Sequence, residues 1–327
     1  MRPWRRLFAL FAVVAILGNA STAFAQLYPT RPITIVVPFP AGGATSALAR
    51  ILAEHMRTTL GQPLIIENVS GAGGTLGISR VARAAPDGYT LSIGQPTSHV
   101  AGSTILPVQY DVLNDFEPVA RVADTPVWVV SRSDLPANDL KELVAWIKAH
   151  PGKASEATIG PGSFSHLFGL YLQNSTGAQF QFVPYRGGAP VMQDLVAGHV
   201  DFTSDMAANS LPLVQSGQIK ALAVLSKRRW FAAPDVPTAD EVGMPGFHIS
   251  LWHGIWARKG TARSIVAKIN DALVAALADP VVQQRFAEQG QEIPPRDQQT
   301  PEALGEFHKA EIEKWLPIIR AADIKLD

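Results

Sequence analysis

Short β-branched runs alternate with longer runs whose apolar residues recur every three or four positions, from Ile33 almost to the C-terminus. This alternation predicts an α/β chain with largely parallel sheets and turns at the strand ends. Ile33 to Val37, bounded by Pro32 and Pro38, reads as a strand, and Leu48, Ile51, Leu52 and Met56 then mark a helix that Gly61 stops. A second unit runs from the strand Leu64–Ile66 through a glycine turn into a helix near Leu76–Ala85, closed by Pro86-Asp87-Gly88. Tyr89–Ile93 and Phe116–Val122 follow as strands.

The register changes at Pro126–Val130, a strand, followed by a helix with Leu140, Leu143, Val144 and Ile147 inward. Asp139 and Glu142 have capping-box spacing at its start. Strand Ala157–Ile159, turn Gly160–Ser163, helix Ser165–Gln173, strand Gln181–Val183, a helix opening at Pro190 and strand Ala221–Leu225 come next. Three helices end the chain, one led by Ser264 and two introduced by Asp279-Pro280 and Thr300-Pro301, each pair an N-cap with proline at the first helical position. With no serine- or glycine-rich linker, two compact lobes are expected. Residues 26–122 with 227–327 form one discontinuous lobe and residues 123–226 the other, with a cleft between them.

Arg2, Arg5 and Arg6, then apolar Leu7 to Leu17, then Ala23-Phe24-Ala25 predict a cleavable export signal over residues 1–25 and a mature chain in the periplasm starting at Gln26. No cysteine occurs, which excludes disulfides, thiolate metal sites and a lipid-bearing cysteine. Charged residues make up only 17% and the formal net charge is zero, so no broad basic face points to nucleic acid.

Four glycine turns stand between strand-like and helix-like runs: Gly42-Gly43, Gly71-Ala72-Gly73-Gly74, Gly160-Pro161-Gly162 and Gly187-Gly188. One such turn needs only to permit a tight reversal. Four at strand ends open helices whose first N–H groups suit a small anion. The residues that follow exclude a phosphate loop, because Gly43 leads to Ala44-Thr45 and Gly74 to Thr75-Leu76 instead of lysine and a hydroxyl. Leu76 stands where a dinucleotide fingerprint needs its third glycine, so no nucleotide cofactor is expected. His248 and His253 lack acidic or cysteine partners nearby, and no metal site is read. No glycine-x-serine-x-glycine elbow is present; Ser165 beside His166, with Asp205 at a strand end, leaves a hydrolase as the minority reading. Trp252 and Trp256, flanking Gly254, read as core or hinge packing before ligand stacking, and Tyr185 is the better aromatic candidate.

The ordered series Pro38-Phe39-x-x-Gly42-Gly43 with Ala49-Arg50, Glu67-Asn68 before Gly71–Gly74, Pro86-Asp87-Gly88-Tyr89, Asp115-Phe116-x-Pro118-Val119, Ser165-His166, Val183–Pro190 and Glu311-x-x-Lys314-Trp315 spans nearly the whole mature chain. It resembles the periplasmic receptors of tripartite tricarboxylate transporters, the Bug family. The resemblance implies a type II-like periplasmic binding protein; the chain is expected to be a monomer without cofactor. Its two α/β lobes would close over a small organic carboxylate and deliver it to the transporter's membrane subunits. A receptor reporting to a sensor kinase fits the same residues. Carried over by position, the implied contacts are Phe39, Ala41, Gly42, Gly43, Ala44, Thr45, Ser46, Gly71, Ala72, Gly73, Gly74, Thr97, Ser98, Ser163, Ser165, His166, Tyr185 and Asp205. Ser46 departs from the family's aspartate, which either favours a more anionic ligand or alters a helix cap, and Arg258 and Ala262 replace family prolines.

Overall fold

A computed structural model describes residues 28–321; the export signal expected over residues 1–25 lies outside them. Five strands build the first sheet: β1 (Ile33–Val37), β2 (Leu64–Asn68), β3 (Thr90–Gly94), β4 (Phe116–Thr125) and, from far along the chain, a strand at Leu251–Arg258. Helices α1 (Ala44–Leu60) and α2 (Thr75–Ala82) follow β1 and β2, and a π-turn at Thr97–Ala101 runs into the short α3 (Gly102–Ile105). The chain enters the second sheet at once, with only Pro126 between β4 and β5 (Val127–Arg132). There α4 (Leu140–Ala149), β6 (Ser155–Thr158), α5 (Phe164–Thr176), β7 (Gln181–Pro184), α6 (Gly188–Val196), β8 (Phe202–Met206), α7 (Ala207–Gln215) and β9 (Ile219–Val224) complete the lobe. The chain then returns as β10 (Leu251–Arg258) and finishes with α8 (Arg263–Ala278), α9 (Pro280–Glu288) and α10 (Pro301–Ala321).

The strand orders are β2-β1-β3-β10-β4 and β7-β6-β8-β5-β9. β1 pairs in parallel with β2 and β3, and β6 with β7 and β8. The fourth strand of each sheet, β10 or β5, is antiparallel to both neighbours. The two lobes thus repeat one mixed-sheet plan, and in each the antiparallel strand is the first to arrive after the chain crosses over. No helix among the described residues is long and apolar enough to cross a membrane.

Pleating decides which side chains meet which helices. Ile33, Ile35 and Val37 alternate onto the face covered by α1 and α8, where Leu48, Leu52, Leu273 and Leu277 are fully buried. Val36 faces the other way, toward Ile78 and Val81 of α2. β10 is buried on both faces. Trp252 and Trp256 go toward Leu304 of α10, with the Trp256 ring stacked 3.9 Å from His99, while Ile255 and Ala257 join the α1–α8 core. Both tryptophans are therefore core residues, and the Trp252 Nε1–H donates to Glu311 at 2.9 Å.

Asp139 accepts the N–H of Glu142 at 2.7 Å, and the Glu142 carboxylate reaches back to the N–H of Asn138, one residue earlier than a standard capping box. Asp139→Ala is expected to lower stability by about 1 kcal/mol, read from the urea midpoint at unchanged slope. Several elements depart from the sequence reading. β2 and β4 run on to Asn68 and Thr125, because strand pairing with β1 and β10 continues there. α6 opens at Gly188, two residues before Pro190, and α8 opens at Arg263 behind an Ala262 that offers no cap.

Candidate functional site

The C-terminal ends of β1, β2 and β3 bring three turns of the first lobe together. Gly74, at φ +95°, lies so close to its neighbours that a Cβ there would stand 2.9 Å from Ser98 Cβ and 3.2 Å from Pro38 Cβ. The turns after β1, β2 and β3 therefore meet at one point, which joins the Phe39–Ser46, Gly71–Gly74 and Thr97–Ser98 stretches. Asn68, the last residue of β2, ties the first turn down: its Nδ2–H donates to Phe39 O at 2.9 Å, and Ser46 Oγ donates to its Oδ1 at 3.4 Å. Gly43 and Gly74 are the N-caps of α1 and α2, and neither helix has a side-chain cap. The first N–H groups of both helices are left without side-chain acceptors at the positive ends of their dipoles. Ala41, Gly42, Gly43 and Ala44 are exposed, as are Gly71, Ala72 and Gly73, whereas Thr45, Ser46 and Ser98 are buried beneath them.

Ser46 is the third helical residue and spends its hydroxyl on Asn68, so its departure from aspartate changes no cap bond. Ser98 Oγ donates to Gln95 O at 3.1 Å and lies 3.0 Å from His99 Nδ1; Thr97 Oγ1 accepts from Gln95 Nε2. No acidic or basic side chain belongs to the segments 38–46, 71–75 or 95–98. An anion here meets only dipoles, backbone N–H groups and hydroxyls.

The second lobe supplies a matching ledge at the ends of β6, β7 and β8. Ser163 caps α5 by accepting the N–H of His166, and Ser165 Oγ accepts the N–H of Ile159 at 3.1 Å. Gly162 N–H donates to His166 Nδ1 at 3.1 Å, which places the ring proton on Nε2 as a free donor. Burial against Phe182 holds this imidazole below the usual histidine range, so it is neutral at physiological pH. The N-caps of α6 and α7 are Gly187 and Met206, again with no side-chain cap.

Tyr185 and Asp205 are turned to local partners. The Tyr185 hydroxyl donates to Asp194 at 2.6 Å, and burial, then Asp194, pushes its pKa up to about 12. Asp205 accepts from Ser210 at 2.7 Å, and Ser210 in turn accepts the Trp128 indole N–H at 2.9 Å. Burial raises the Asp205 pKa, and its Ser210 and Asn209 hydrogen bonds oppose the rise. Arg50 and Arg186 are exposed; Arg50 lies on α1 past the first turn, and Arg186 sits in the turn between β7 and α6. Ser165, His166 and Asp205 form no relay, because each has a different partner.

The lobes face one another across a small apolar gap where Pro96, Val100 and Ala101 oppose Phe164 and Leu167 at the start of α5, with Trp315 beside them. Larger grooves, of about 660 and 600 Å³, lie along α8–α9 and at the hinge, away from the glycine turns; their walls carry charged side chains that include Arg228 and Glu292. A neutral cradle of helix N-termini at the strand ends fits the sequence motifs better than these open grooves do.

A profile described as the tripartite tricarboxylate transporter family receptor matches residues 48–324. The chain belongs to this receptor family. It is similar to the solved periplasmic binding protein BugD, at 40% identity and a TM-score of 0.71, over 91% of this chain and 99% of that one. It is also similar to MatC from Rhodopseudomonas palustris with bound malate (38%, TM-score 0.72, 89% and 100% of the two chains). A third similar structure is the R. palustris protein Rpa4515 with adipate (32%, TM-score 0.73, 91% and 99%). The family is one of solute-binding receptors, and its fold, two mixed sheets flanked by helices in two lobes, is that of this chain.

Asn68, Gln95 and His253, which the sequence motifs do not single out as ligand contacts, also touch the residues of these turns. Asn68 carried a signal, since it ends a strand directly before a glycine turn. His253 carried none, because it meets Thr45 across 208 residues of sequence.

Proposed function

We propose that this chain is a periplasmic receptor that captures a small organic carboxylate between its lobes and delivers it to the membrane subunits of a tripartite tricarboxylate-type transporter. It works as a monomer and performs no covalent chemistry. The observation that carries this reading is the opening of two uncapped helix N-termini, α1 and α2, from turns of the first lobe held together through Pro38, Asn68, Gly74 and Ser98, in segments that carry no charged side chain. Each charge-assisted hydrogen bond contributes roughly 1.5–3 kcal/mol, so about four well-aimed donors reach micromolar affinity before ordering costs. The α1 end (Phe39, Ala41–Ser46), the α2 end (Gly71–Gly74) and Thr97-Ser98 hold one carboxylate. Ser163, Ser165 and the His166 Nε2–H close from the other lobe onto the remainder of the ligand, and Tyr185 and Asp205 join them once closure releases their partners Asp194 and Ser210. The malate of MatC and the adipate of Rpa4515 support a dicarboxylate of four to six carbons.

The test is thermal unfolding of the mature chain, stripped by unfolding and refolding, against malate, adipate, citrate and benzoate. A ligand at a hundredfold its Kd adds about 2.7 kcal/mol, a rise in Tm on the order of 5 °C. A selective rise with malate or adipate supports the reading; no shift with any of the four acids overturns it.

A further inference from the structure

His253 lies on β10, 2% exposed, on the face toward α1. Its Nε2 is 3.1 Å from Thr45 Oγ1, the second residue of α1, while its Nδ1 is fully buried and has no partner among the described residues. Burial pushes its pKa down to about 4, so the imidazole is neutral and carries one proton. The two tautomers are unequal in cost. A proton on Nδ1 strands a buried N–H donor, whereas a proton on Nε2 leaves only a bare lone pair inside and gives Thr45 a donor. Thr45 Oγ1 has no other side-chain or carbonyl partner among the described residues.

We infer that His253 is a positioning residue for the anion site, its Nε2–H donating to Thr45 Oγ1 so that the threonine's own proton is left to point out of the N-terminus of α1 toward a bound carboxylate. A hydroxyl that already accepts one hydrogen bond from below offers the ligand a donor. That sets the site for carboxylate oxygen against an amide NH₂ or a protonated acid, both of which bring donors of their own. This inference rests on the receptor reading above and extends it to the origin of carboxylate selectivity.

The experiment has two arms. In ¹⁵N-histidine-labelled protein, NMR is expected to show His253 protonated at Nε2, bare at Nδ1, and untitrated between pH 5.5 and 8. In calorimetric titrations with malate, His253→Phe is expected to weaken binding about tenfold, and His253→Gln, whose amide nitrogen replaces Nε2, to restore most of it. In a Thr45→Val background the His253→Phe effect should vanish, which a purely structural role would not produce. Melting temperatures of the ligand-free variants identify any that fail to fold, and the tautomer of the wild-type protein decides the matter even then. A proton on Nδ1, or additive losses in the double variant, overturns the role of His253. Absence of malate binding to a wild-type protein that shows the expected tautomer counts instead against the receptor reading on which the inference rests.

Discussion

Gly74→Ala is expected to cost both stability and carboxylate binding, while Gly73→Ala, one residue earlier, costs much less of either. Both glycines have positive φ, +95° and +63°, so each substitution bears the left-handed penalty of roughly 1–2 kcal/mol. Only at Gly74 is the space already filled. The new methyl would meet Ser98 Cβ at 2.9 Å and Pro38 Cβ at 3.2 Å, whereas nothing lies within 4 Å of a methyl at position 73. Overpacking adds about 1–3 kcal/mol at Gly74 and forces apart the turns on which α1 and α2 open. Urea unfolding of the two variants, with and without malate, separates these effects. Gly74→Ala should unfold at the lower midpoint and lose its malate-induced stabilisation. Equal midpoints for the two variants would refute the tight convergence of the turns.

A second large effect is expected at Glu156, in the core of the second lobe. This β6 residue is fully buried, and neither carboxyl oxygen finds a partner among the described residues. Its Oε2 lies over Gly169 of α5, only 1.8 Å from where a Cβ on that glycine would stand, with the Phe182 ring alongside. Burial raises its pKa well above the ordinary glutamate value, so the folded state holds a proton that the unfolded state releases. The linkage has a definite sign. Where the folded pKa is the higher one, stability is fullest below the unfolded pKa near 4.5 and falls as pH rises, by about 1.4 kcal/mol per pH unit while the fold keeps the proton.

Glu156→Gln removes the ionisation and keeps a buried polar group; Glu156→Met, an unbranched side chain, removes both. Both are expected to raise Tm at pH 7.5, and the gain should shrink as pH falls toward 4.5. Met should exceed Gln by the cost of an unsatisfied polar group, about 1–3 kcal/mol. Parallel stability profiles for wild type and Glu156→Gln across this range would show that Glu156 carries no extra proton in the fold.

Local rules made much of the fold legible. β1 spans the residues its sequence predicts because Pro32 and Pro38 bracket a β-branched run, and Asp139 and Asp279 cap the helices their spacing announces. β10 was not legible. It is buried on both faces and broken by His253 and Gly254, so it shows no alternation, and its partners β3 and β4 come more than a hundred residues earlier. α7 was hidden by Pro212 within it. In the site, glycine turns and hydroxyls mark backbone positions, which sequence reads well. Gln95 braces Thr97 locally, but other orienting side chains come from elsewhere: Asn68 from the end of β2 and His253 from β10, two strands across the sheet from β1. Contacts between distant segments leave no periodic trace.

The position of β10 also sets an order of assembly. All five strands of the second sheet come from one continuous stretch, Val127–Val224, so that lobe can close its hydrogen-bond ladder as soon as those residues are available. The first sheet cannot. Among the strands of this sheet β4 pairs with β10 alone, its other bridge being the still later Glu292, and β10 is the wedge between β4 and β3, so the older lobe waits with a gap until residue 258 has emerged. The last lobe begun is the first able to finish, and the long-range closure through β10 is the step that topology makes slow.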